Sequence, residues 1–137
     1  LPRTSISWDE FKRIMRDHDV KPAAVKAKAA AMFPGQHDVA ALSDQERGDL
    51  MRKVWAPSPW MVDAYTGGVD NERSREILHW CYETFGPQAS PIHDKPGRWQ
   101  RGGATIYGWT WFGFSTREEM DQFVAHWPTP EGIERTA

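Results

Sequence analysis

The chain has 137 residues, a formal net charge of −2, and one cysteine against eight tryptophans. That length fits a single domain able to bury a real core, and a charge so near balance argues against a protein that coats duplex DNA, which needs a strong basic excess. One cysteine excludes an intrachain disulfide and makes a reducing, cytoplasmic setting the expectation; no apolar run approaches membrane-span length, so no membrane partner is expected.

Ser7 followed by Glu10 has the spacing of a capping box and opens a helix carrying Trp8, Phe11, Ile14 and Met15, expected to end near Asp19. Pro22 suits the first turn of a second helix, because its missing N–H would be unpaired there anyway, and Pro34-Gly35 stops that helix after Phe33. A second capping box, Ser43 with Glu46, opens a third, with Leu50, Met51 and Val54 on its apolar side. Residues 1–55 therefore read as a helical segment of three short helices. Ala56-Pro57-Ser58-Pro59 punctuates the chain, and 56–69 reads as a linker or short strand ending at Gly67-Gly68.

Asp70 or Asn71 caps the next helix, whose apolar set Ile77, Leu78, Cys81, Tyr82 and Phe85 recurs at three and four residues before Gly86-Pro87 ends it. Three prolines between 87 and 97 give an extended connection. The stretch from Arg98 to Phe114 then concentrates aromatics, glycines and two arginines. Gly102-Gly103 supplies the turn of a hairpin joining Arg98–Arg101 with Ala104–Tyr107, and Gly108 a bulge or second turn into Thr110–Phe114. Ser115 with Glu118 reads as a third capping box, opening a last helix with Met120, Phe123, Val124 and Trp127 inward.

The expected fold class is α+β: an N-terminal three-helix segment followed by helix-strand-strand-helix, with a small antiparallel sheet in a unit spanning 70–127 and a tail over 128–137. Periodicity places Ile77, Leu78, Cys81, Phe85, Phe112, Phe114, Phe123 and Val124 in the core. A chain beginning at Leu1 rather than Met is open to being a fragment or a processed product.

No cofactor and no metal are expected. His79 and Cys81 lie two apart on a helix and point about 200° apart, whereas ligands on one helix face need spacings of three or four. Cys81 reads as a buried thiol, and the Gly102, Gly103 and Gly108 pattern lacks the strand-to-helix setting of a phosphate loop. His93-Asp94 in the proline-rich connection is the one pair resembling a general base, and it supports a metal-independent hydrolase only as the weakest reading, since no nucleophile elbow accompanies it.

The hairpin is where function competes with packing. Alternation sets Tyr107, Trp109 and Trp111 on one face and Phe112 and Phe114 on the other. With the phenylalanines on the helices, the first set is available to a partner, with Trp99 beside it and Arg98 and Arg101 at its rim. Trp, Tyr and Arg dominate protein hot spots, so the leading expectation is a small non-enzymatic interaction module acting within a larger assembly, bound to a protein partner or to further copies of itself. The same rings and arginines, with Lys12, Arg13 and Arg16, suit single-stranded nucleic acid as the alternative.

Overall fold

A computed structural model describes residues 7–18, 27, 30–32, 42–68, 71–102 and 108–134. In chain order the elements are α1 (Trp8–His18), α2 (Asp44–Trp55), β1 (Trp60–Tyr65), α3 (Glu72–Phe85), a 3-10 turn (Pro91–His93), β2 (Trp99–Arg101), β3 (Trp109–Phe114) and α4 (Arg117–His126). The fold is α+β, with helices and a three-stranded antiparallel sheet in the order β1-β3-β2. Residues 27 and 30–32 are helical, and the rest of the expected second helix lies outside the described residues.

The helix starts follow their capping chemistry. Ser7 Oγ accepts the Glu10 amide, and at α2 Ser43 and Glu46 form both halves of the box. Asn71 caps α3, and Gly86, at φ 97°, donates its amide to Tyr82 where α3 ends. The α4 box sits one residue later than Ser115 and Glu118 would place it: Thr116 is the cap and Glu119 its partner. Ser115 still joins the arrangement, because its hydroxyl donates to Glu119 Oε1 at 2.5 Å.

Among the described residues the sheet has three strands. β1 falls in the segment read as a linker or short strand and pairs antiparallel with β3, Trp60 opposite Phe114 through Tyr65 opposite Trp109. β2 pairs antiparallel with β3, Trp99 opposite Phe114 and Arg101 opposite Phe112, while the expected turn onto Ala104–Tyr107 lies outside the described residues. The physical reason is the core: this pairing sets Trp99 beside Phe114, and both are fully buried. Residues 103–107, Tyr107 among them, lie outside the described residues. Beyond β1, the Thr66 and Gly67 amides both donate to the Gly108 carbonyl, and the Thr66 and Thr110 hydroxyls share a 2.8 Å hydrogen bond.

One sheet face packs against α3 and α4. Phe123 of α4 lies 4.9 Å from Phe112 and 5.1 Å from Phe114 between ring centroids, and Phe85 of α3 meets Phe114 edge-on. Ile77, Leu78 and Cys81 complete this core as their spacing requires, and Phe11 of α1 and Trp99 join it. Val124 does not: it is 45% exposed. Consecutive helical residues point about 100° apart, so Phe123 facing the sheet turns Val124 to solvent.

Gly48 offers a check on α2. It lies within the helix, and an added Cβ would meet only the end of the flexible Arg52 side chain, at 3.5 Å. Glycine is the poorer helix former because it loses more backbone freedom, so Gly48→Ala should raise stability by about 0.5–1 kcal/mol. Urea denaturation reads this directly; a loss of stability would mean that α2 does not hold this helical backbone.

Candidate functional site

The face of the sheet turned away from α3 and α4 carries, by register, Met61, Asp63 and Tyr65 of β1, Trp109, Trp111 and Gly113 of β3, and Gln100 of β2. Its two ends are covered by the chain itself. At one end, Trp55 at the close of α2 lies over Gly113, so near that a Cβ there would stand 2.9 Å from the indole, and Gln100 Nε2 donates to the Val54 carbonyl at 2.9 Å. At the other, Trp109 and Tyr65 pack edge-to-face at 5.6 Å. Between these ends Trp111 is 43% exposed and Met61 38% exposed. They are diagonal neighbours on adjacent strands, a placement within reach of long side chains.

This geometry sorts the residues expected at the contact surface. Trp111 is there. Trp109 shares its face but is only 9% exposed, held by Tyr65. Trp99 is a correction: it is fully buried on the opposite face, and its indole N–H donates to the Gly86 carbonyl at 2.7 Å. Arg101 is a second, because it stands opposite Phe112 and so belongs to the helix-covered face rather than to the rim of Trp111. Arg98 is bonded to α4, its Nε donating to Glu119 Oε2 at 2.5 Å. Tyr107 lies outside the described residues. Lys12 and Arg13 form ion pairs with Asp9 and Glu10 one turn away on α1. Met61, which the sequence reading passed over, is at the site because β1 is a strand; its alternation through Met61, Asp63 and Tyr65 was the available signal.

Glu119 fixes the Arg98 end of β2 onto α4. Burial pushes its carboxyl up, but hydrogen bonds from Arg98, Ser115 and Thr116, with the Arg98 charge, outweigh this and hold it below the ordinary carboxylate value. The same bond and charge raise Arg98. A carboxylate with a depressed folded value contributes stability that is complete above its unfolded value, about 4.3, and is lost as pH falls through the lower folded one. Stability measured from pH 7 downward should therefore fall less steeply in Glu119→Gln than in the parent chain below about pH 4. Parallel profiles would show that the carboxylate is not held by these donors.

The residues considered for chemistry have structural partners. His93 Nδ1 shares a 2.7 Å hydrogen bond with Ser90 Oγ, and Ser90 is buried, which keeps that hydroxyl from a substrate. Asp94, beside His93, is exposed and left-handed at φ 55°. Cys81 is buried, and burial raises its thiol well above the ordinary value, so it is not a thiolate nucleophile. His79 packs edge-on against Phe11 with its Nε2 3.7 Å from Glu83, and His126 stacks on Trp80 at 4.5 Å. Among the described residues no group of three His, Cys, Asp or Glu side chains could hold a metal ion, and no helix is long and apolar enough to cross a membrane. Comparisons with protein-family models, curated proteins and solved structures find no match to this chain.

Proposed function

We propose that this protein is a small, non-enzymatic interaction module of a larger assembly, docking on a protein surface through the open part of its sheet face. The observation that carries the reading is the pairing of Trp111 and Met61, two large apolar side chains exposed side by side on a rigid sheet. Trp55 and the Trp109–Tyr65 pair flank them, so a partner would meet an aromatic surface already held in place by packing. Such preorganised tryptophans lose little side-chain freedom on binding, and adjoining exposed apolar groups mark contact sites more often than isolated ones do. The partner is a protein or a second copy of the chain, and the lone cysteine suits a reducing cytoplasm.

Nucleic acid is the weaker reading, because the aromatic set it would stack on is reduced: Trp99 and Trp109 are buried, while Arg98 is engaged with Glu119. Trp111→Ala should weaken association at least about tenfold while lowering the stability of the free domain by less than about 1 kcal/mol, since its side chain is largely exposed. Association is read by sedimentation across a concentration series, with and without the partner, and stability by urea denaturation. Unchanged association by a folded Trp111→Ala variant would end the proposal. Affinity falling steeply with salt would instead indicate phosphate contacts.

A further inference from the structure

We propose that the cleft between α1 and α3 binds an alkylammonium group, as carried by a quaternary amine or by a lysine side chain. It lies apart from the Trp111 face and does not depend on the reading of that face. The cleft has a volume of about 380 Å³ and is lined by Trp8, Glu72, Arg75, Glu76 and His79. That volume lies within the usual range of small-molecule sites.

Its walls follow from how the two helices meet. Phe11 anchors α1 in the core, with His79 edge-on at 4.9 Å and Tyr82 at 6.1 Å. Trp8, one turn earlier, stacks on Phe11 at 5.5 Å and meets the His79 ring at 5.2 Å. The indole is thus fixed by two rings and still 37% exposed at the cleft. On α3, Glu72, Glu76 and His79 recur at spacings of four and three, which puts them on one stripe facing the indole.

The chemistry selects a cation. The face of an indole carries negative potential and attracts an ammonium group, and more strongly where water is partly excluded. Two carboxylates beside it favour the same charge. Arg75 is the opposing charge of the lining, and it is engaged in an interaction of its own. An anion would meet both glutamates, and a neutral ligand would gain only the ring surface. A primary ammonium would hydrogen-bond the carboxylates, whereas a quaternary one would rely on the indole; one site can serve both through the shared charge.

The test follows the Trp8 indole N–H in proton–nitrogen correlation spectra of the full chain, assigned by its loss in Trp8→Ala. Tetramethylammonium chloride and butylammonium chloride represent the quaternary and lysine-like sources, with sodium chloride and neutral tert-butanol as controls. A saturable shift with either ammonium salt, absent in both controls, is expected, and the tighter of the two identifies the source. The double variant Glu72→Gln/Glu76→Gln, which alters exposed or rim groups and not the core, should lower that affinity by about tenfold or more. No saturable shift with either salt, an equal response to tert-butanol, or an unchanged affinity in the folded double variant would overturn the proposal.

Discussion

Trp99→Ala is expected to cost about 3–5 kcal/mol, among the largest losses any single substitution in this chain will produce. The side chain is fully buried where α3, β2 and β3 converge, beside Phe114 and within the cluster that includes Phe85 and Phe123. Truncation removes the apolar transfer of an indole and leaves a cavity among rings already fixed by one another, so the site has little freedom to collapse. It also orphans the Gly86 carbonyl, which accepts the indole N–H where α3 ends. Trp99→Phe separates the two contributions. It keeps most of the ring volume but not the donor, and should cost about 1–3 kcal/mol. Urea denaturation of the three proteins should rank them parent, phenylalanine, alanine; an alanine variant within about 1 kcal/mol of the parent would mean that the core is not built on Trp99.

Gly97→Ala is the second large effect. A Cβ at this position would stand 2.4 Å from the Ala89 nitrogen, 2.6 Å from the Pro87 oxygen and 2.8 Å from the Ala89 Cα. All three are backbone atoms, so no side chain can swing aside, and the crossing of the two segments must open. That crossing is held by the Ala89 amide donating to the Trp99 carbonyl at 2.7 Å, so opening it also disturbs the strand that carries Trp99 into the core. Overpacking of this kind costs about 1–3 kcal/mol, and loss of the hydrogen bond adds to it. The same substitution at Gly48 points the other way, which makes the pair a test of local geometry rather than of glycine content. Equal effects at the two sites would contradict the close approach at Gly97.

What could be read before folding was local. α3 was legible because its periodicity, its Asn71 cap and its Gly86 stop all agree, and α2 because Ser43 and Glu46 form both halves of a box. β2 was legible as a strand over Arg98–Arg101 but its partner was not, because nothing local tells that Trp99 will stand opposite Phe114, fifteen residues on. β1 was legible only as one of two readings of 56–69, because prolines precede it and its pairing with β3 crosses the whole of α3. Trp109 and Trp111 follow the alternation expected of them, yet only one is exposed, because Tyr65 from that distant strand covers the other. Gly113 was the available hint that the face is partly covered. A glycine inside an aromatic strand marks a close approach, here by Trp55 at the end of α2.

The central claim, that the Trp111–Met61 face is the docking surface, is tested most directly by site-specific photocrosslinking in the cell that makes the protein. Trp111→benzoylphenylalanine places a reactive ketone on that face, and Val124→benzoylphenylalanine places one at an exposed position of α4, which packs on the opposite side of the sheet. The proposal predicts a covalent adduct of one defined mass from position 111, none from position 124, and loss of the adduct when Met61→Asp is added to the first variant. No adduct from position 111, or equal adducts from both positions, would contradict it.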